Sequence, residues 1–279
     1  MSWFEAMVLG FIQGLTEFLP ISSSAHLRIS AALFGWEDPG AAFTAVTQIG
    51  TELAVVIYFR HDIATIARAW ARSIRHREHR HDPDARLGWL VILGSLPIGV
   101  LGLLLQDQIE TAFRDLRVTA ATLIVFGVLL GVADKIGAKT RGLKDLTVRH
   151  GVLYGFAQAL ALVPGVSRSG GTITAGLLLG YERGAATRYA FLLALPAVFA
   201  SGLFQLTEIG EGVATPWGPT LLATAIAFVI GLMVIAWLMR YLSTRTFMPF
   251  VAYRLALGVL LLGLIMGGIL DPDAGIGTH

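Results

Sequence analysis

Residues 13–26, QGLTEFLPISSSAH, place a carboxylate, three consecutive hydroxyls and an imidazole inside one apolar stretch. Gln13 and Glu17 stand four apart, so a helix carries them on one face. Pro20 ends that helix, and Ser22, Ser23, Ser24 and His26 follow. An ionised carboxylate in an apolar segment is costly unless it is paired, protonated or bound to metal. Glu17 together with His26 therefore marks a site, whereas capping of the second helix would account for Ser22 or Ser23 alone.

A serine hydroxyl is a weak nucleophile at neutral pH and needs a base beside it. His26 lies three residues after Ser23, so one helical turn is expected to bring the pair together. Glu17 can orient the imidazole, act as base or hold a cation. Ser23 with His26 as its base is favoured over direct attack by the imidazole, and a metal-activated water is the third route.

A second constellation, PGVSRSGGT at 164–172, precedes a helix. Glycines let the backbone turn and expose its N–H groups, and a helix N-terminus attracts anions. Arg168 adds a planar, bidentate partner for phosphate oxygens. Ser167, Ser169 and Thr172 add hydroxyls. This is a phosphate cradle by composition, without the lysine and spacing of a Walker loop. A cradle combined with a carboxylate, hydroxyls and an imidazole points to phosphoryl chemistry.

The chain around these motifs has 279 residues, 55% hydrophobic and only 14% charged, against about 25% charged in soluble domains. Mean hydropathy is +0.69. The composition is that of a multi-pass membrane protein and excludes disorder. Cysteine is absent, which removes disulfides, thiolate nucleophiles and cysteine-ligated metal sites. The net charge of +2 is small and its basic residues fall in short loops, so no nucleic-acid partner is expected.

Six stretches approach the ~20 apolar residues of a spanning helix: 41–59, 87–105, 118–134, 186–206, 219–239 and 249–270. Segments 3–35 and 151–180 are broken near the middle by Pro, Ser and Gly, and read as re-entrant helical hairpins. The N-terminus lacks the basic leader of a signal peptide, and Glu5, Gln13 and Glu17 interrupt any apolar core there. Seventeen of the 21 Lys and Arg fall in 60–86, 134–150, 182–188 and 240–254, and two in 36–40, 106–117, 207–218 and 271–279. The positive-inside rule puts the first set in the cytoplasm and the C-terminus outside. Segment 3–35 then enters from outside and 151–180 from inside.

Residues 10–27 and 155–172 match at six of 18 positions without a gap, including Gln13/Gln158, Ser22/Ser167 and Ser24/Ser169. Each half, about 1–134 and about 150–270, is one hairpin plus three spans. An odd span number turns the second copy upside down, so the expected fold is an all-α inverted repeat with its site at the repeat interface.

The histidine-rich run 75–82 sits where orientation demands basic charge and is read as a solvated loop, not a metal tract. Gln48 and Glu52 share one face of a predicted span, where they either line a route to the site or bond between helices. Trp3, Trp36, Trp70, Trp89, Trp217 and Trp237 mostly fall near span ends, as interfacial anchors do.

Taken together, QGLTEFLPISSSAH and PGVSRSGGT resemble the two signature motifs of the undecaprenyl-diphosphate phosphatase family, the bacitracin-resistance membrane phosphatases, over essentially the whole chain. The resemblance implies hydrolysis of undecaprenyl diphosphate to the monophosphate carrier and phosphate in the bacterial cell membrane, with a divalent cation, Mg²⁺ or Ca²⁺. It implies catalytic roles for Ser23, His26 and Glu17. It implies diphosphate binding by Arg168, Ser167, Ser169, Gly170, Gly171, Thr172 and Ser22, and metal contact at Glu17 and Gln13. The first motif is Glu-x-x-x-Glu in many relatives and Gln13-x-x-x-Glu17 here. One carboxylate remains, so the metal is expected to be held largely by the diphosphate. A secondary transporter or flippase of the lipid carrier would use the same architecture; release of phosphate separates the two.

Overall fold

The computed structural model describes residues 1–37, 40–105, 109, 115–208 and 217–274. Among them the chain is helical, with a lone bridge between Arg141 and Tyr181. In chain order the helices are α1 (Trp3–Thr16), α2 (Ser23–Phe34), α3 (Gly40–Tyr58), α4 (Arg60–Arg75), α5 (Pro83–Leu104) and α6 (Leu116–Ile136). There follow α7 (Val148–Ala159), α8 (Arg168–Leu178), α9 (Arg183–Glu208), α10 (Trp217–Tyr241) and α11 (Met248–Met266).

Helices α3, α5, α6, α9, α10 and α11 occupy the six expected spans. Five are long and apolar enough to cross a membrane, and the apolar part of α3, Phe43–Tyr58, is shorter. The chain is thus an all-α, multi-pass membrane protein. The segments expected outside, 36–40, 106–117, 207–218 and 271–279, lie largely outside the described residues.

Residues 75–82 are exposed or half-buried, as read, but the basic segment 60–86 as a whole is not a plain loop. It holds α4 and a short 3₁₀ turn, Arg77–His81. In α4, Ile63, Ile66, Ala69 and Ser73 face inward while Arg60, Arg68, Arg72 and Arg75 stay exposed. The basic residues that signal orientation are the polar face of an amphipathic helix. Arg254 also departs from expectation. It lies within α11, fully buried, so its charge does not belong to a loop.

Each of the two broken segments holds a pair of short helices. Helices α1 and α2 have 14 and 12 residues, and α7 and α8 have 12 and 11. Pro20 and Pro164 fall in the breaks, where their missing N–H costs no helical bond. The breaks share one local geometry at matched positions. Ser22 and Ser167 hold φ of 74° and 70°, the left-handed region that costs a non-glycine residue about 1–3 kcal/mol. Each caps the next helix: Ser22 Oγ accepts from Ala25 N at 3.4 Å and Ser167 Oγ from Gly170 N at 3.0 Å. Each hydroxyl also meets the second next, Ser24 at 3.1 Å and Ser169 at 3.2 Å.

Packing around the hairpins is reciprocal: α1 lies against α10, and α7 against α5. Matched glycines permit both contacts. A Cβ on Gly10 would stand 2.5 Å from the Ala223 carbonyl oxygen, and one on Gly155 would stand 2.6 Å from that of Gly94. Small residues at such crossings let helix backbones approach without a hydrophobic driving force. The two breaks consequently meet in the middle of the bundle, walled by Phe18, Val55 and Phe191 of the largest core cluster.

Candidate active site

Glu17 ends α1, and its carboxylate is the hub of the site. Gln13 Nε2 donates to Oε2 at 2.8 Å from one turn back along the same helix. Ser23 Oγ donates to the same Oε2 at 2.5 Å from the first position of α2. Arg168 Nη2 donates to Oε1 from the second hairpin. Both carboxylate oxygens are thus engaged by groups on three helices, and Glu17 is only 8% exposed. Charge-assisted bonds of this kind are stronger than neutral ones.

His26 stands apart from this hub. Its Nδ1 lies 2.7 Å from the Ser22 carbonyl oxygen, and its Nε2 lies 2.7 Å from the Tyr253 hydroxyl. A carbonyl only accepts, so Nδ1 carries the proton and neutral Nε2 accepts from Tyr253. The rings stack with planes 9° apart. The expected Ser23–His26 pair is therefore replaced by a Ser23–Glu17 pair. A spacing of three puts two side chains on one face, but the carboxylate at the end of α1 comes within reach of Ser23, while the imidazole turns back to the carbonyl four residues earlier.

Arg168 begins α8 and faces two carboxylates. Its Nη2 donates to Glu17 and, at 2.8 Å, to Glu52 Oε1. Glu52 reaches the site from α3 and is 1% exposed. Of the two sequence readings of Glu52, the structure shows an interhelical bond that ends in the site itself.

Other members of the proposed cradle have partners within the protein. Ser169 Oγ is within 3.2 Å of the Leu19 carbonyl oxygen, tying the second break to the first. Thr172 Oγ1 donates to the Arg168 carbonyl of its own helix at 2.7 Å and is fully buried. Gly170 N is capped by Ser167, and Gly171 N donates to the Ser167 carbonyl at 2.8 Å. These groups build the turn that presents Arg168, and they are hydrogen-bonded within the protein.

Arg254 has no counterpart in the sequence-predicted set. Its guanidinium donates to Pro20 O at 2.9 Å, Gly165 O at 2.7 Å, Val166 O at 3.1 Å and Leu123 O at 3.2 Å. It satisfies carbonyls of both breaks at once, which no intrahelical bond can do. An arginine inside the apolar run 249–270 was the signal available for it.

A small cleft lies between these groups, with Glu17, Glu52, Arg168 and Ser169 on its polar side. Phe18, Val55, Ala190, Phe191 and Ala194 form its apolar side.

Glu52 Oε2 and Gln13 Oε1 are buried without a hydrogen-bond partner. Among the described residues no group of three or more His, Cys, Asp or Glu is placed to hold a metal ion. Few, hard oxygen donors with free acceptor capacity fit Mg²⁺ or Ca²⁺ that takes its other ligands from a diphosphate and water. They do not fit a zinc site.

Residues 6–260 match the model of the family described as bacitracin resistance protein BacA. The chain is 64% identical over 288 residues to a Frankia casuarinae protein named undecaprenyl-diphosphatase 2, covering 99% of each. It is 60% identical over 286 residues to a Streptomyces coelicolor protein of that name, covering 98% of each. It is also 60% identical over 275 residues to an undecaprenyl-diphosphatase of Thermobifida fusca, covering 99% of this chain and 94% of that one.

Proposed function

The chain belongs to the bacitracin resistance protein BacA family, and from that premise we propose that the site at Glu17, Ser23 and Arg168 hydrolyses undecaprenyl diphosphate to undecaprenyl phosphate and inorganic phosphate. The protein is a membrane-embedded undecaprenyl-diphosphate phosphatase, a hydrolase of a phosphoric anhydride acting in cell-wall synthesis and bacitracin resistance.

The observation that carries the mechanism is the chain of bonds from Ser23 through Glu17 to Arg168. Ser23 Oγ attacks the terminal phosphorus, the bridging P–O bond breaks, and undecaprenyl phosphate leaves. Glu17 takes the hydroxyl proton and passes it to solvent. A carboxylate is a weak base for a serine, but phosphoryl transfer runs through a loose transition state in which little proton removal is needed at attack. Water then attacks the phosphoserine and gives up a proton to Glu17, and Ser23 leaves and recovers it. Arg168, presented by the Ser167–Gly171 turn, swings its guanidinium from the carboxylates onto the equatorial phosphoryl oxygens, where charge accumulates. His26, oriented by Tyr253, holds the carbonyl of Ser22 and so fixes the strained turn that carries Ser23. A divalent cation, held by Glu17 with the free Gln13 Oε1 beside it, neutralises diphosphate charge when bound.

The two hairpins enter from opposite membrane faces as an inverted repeat, with the basic segments cytoplasmic, the C-terminus outside and the site open to the extracytoplasmic side. The matched Ser22 and Ser167 turns, the reciprocal packing and the basic face of α4 support this arrangement. The polyprenyl tail stays among the helices while its headgroup enters the cleft.

Purified protein in detergent should release inorganic phosphate from farnesyl diphosphate, and Ser23→Ala should abolish release. A wild-type protein that binds the substrate but releases no phosphate would make it a carrier.

A further inference from the structure

We infer that Glu52 is the second anionic ligand of the site: its carboxylate, brought from α3, joins Glu17 in holding the divalent cation that accompanies the diphosphate. The phosphatase reading above supplies the substrate for this inference; the geometry of Glu52 stands without it.

Glu52 Oε1 accepts from the same Arg168 nitrogen that serves Glu17 Oε1. One guanidinium therefore answers two carboxylates, and Gln13 contributes only a neutral amide. With both carboxylates ionised, the cluster carries one negative charge in excess beside Phe18, Val55 and Phe191. A buried ion pair is tolerated when charge and hydrogen bonds both balance, and an extra buried carboxylate is strongly unfavourable. A cation at the site removes that excess.

The second observation concerns the other oxygen. Glu52 Oε2 is buried with no partner, in a side chain 1% exposed that lines the cleft. A counter-ion for Arg168 alone needs only the oxygen already bonded. An orphaned, desolvated carboxylate oxygen on a residue that lines a cleft is an acceptor waiting for a ligand.

The test separates charge from hydrogen bonding. In Glu52→Gln the side-chain oxygen still accepts from Arg168, but the charge is gone. Mn²⁺ binding to the purified protein is read by electron paramagnetic resonance in the presence of inorganic methylenediphosphonate, against the same mixture without protein. Glu52→Gln should weaken Mn²⁺ binding by about tenfold or more. Gln13→Glu combined with Glu52→Gln should restore most of it, since position 13 already touches Glu17. Wild-type Mn²⁺ affinity in Glu52→Gln overturns the assignment. Should that variant not fold, Gln13→Glu alone should tighten Mn²⁺, and an unchanged affinity overturns the assignment equally. Phosphate release from farnesyl diphosphate is scored separately. Its absence in a wild type that shows the Mn²⁺ pattern overturns the phosphatase reading and leaves Glu52 standing. Release insensitive to both chelation and Glu52→Gln overturns Glu52 and leaves the phosphatase standing.

Discussion

Ser23 gives its hydroxyl to Glu17 at 2.5 Å, although the two are six positions apart and separated by a helix break. The break folds α2 back so that its first residue meets the last side chain of α1. The proposed nucleophile and base are thereby held together before any substrate arrives, which is how a site avoids reorganisation during reaction.

Ser23→Ala should lower turnover by about 10³-fold or more with little change in stability, because one exposed-side hydroxyl is lost from a carboxylate that keeps two other donors. Rapid quenching with terminally labelled substrate should trap an acid-stable, base-labile label in the wild type. An acid-labile, base-stable label would identify a phosphohistidine and move the nucleophile to His26.

His26→Gln and Tyr253→Phe should each reduce turnover modestly, on the order of tenfold, because both residues position the Ser22 turn and do not touch the reacting atoms. KM for farnesyl diphosphate should stay near the wild-type value while kcat falls. Complete loss in His26→Gln at normal expression would contradict a positioning role.

Arg168→Lys keeps the charge but loses the fork, and turnover should fall by on the order of 10²-fold. Thr172→Val, whose hydroxyl serves only its own helix, should retain most activity. Equal losses in the two variants would return Thr172 to the cradle.

Arg254→Met should destabilise the protein by on the order of 3 kcal/mol, since carbonyls of both breaks lose their buried donor. Thermal unfolding in detergent should shift down with activity lost in parallel. An unshifted midpoint would show that the breaks are held without it.

A His79→Cys variant should be labelled by a membrane-impermeant thiol reagent only after the cells are opened, because the segment lies on the basic side. The absence of native cysteine keeps the background clean. Labelling from outside intact cells would reverse the orientation.

The sequence by itself determined the elements and the two places where chemistry gathers. Apolar runs give spans because backbone in lipid must satisfy its own hydrogen bonds. Pro20 and Pro164 break helices for local steric reasons, and the matched Gln and Ser positions mark one motif used twice. Such signals are legible because each acts over a few residues. Which groups meet was decided only by tertiary structure. Ser23 chose Glu17 over His26 because the angle at the break, unlike the spacing within a turn, depends on how α1 and α2 pack on the rest of the bundle. Glu52 became part of the site because α3, packed on α9 and α10, carries it within reach of Arg168, and Arg254 became a clamp because α11 passes where carbonyls of the two breaks converge. The partners of Glu52 and Arg254 stand tens to hundreds of positions away, and no local pattern encodes a contact that forms only when distant helices close around unsatisfied polar groups.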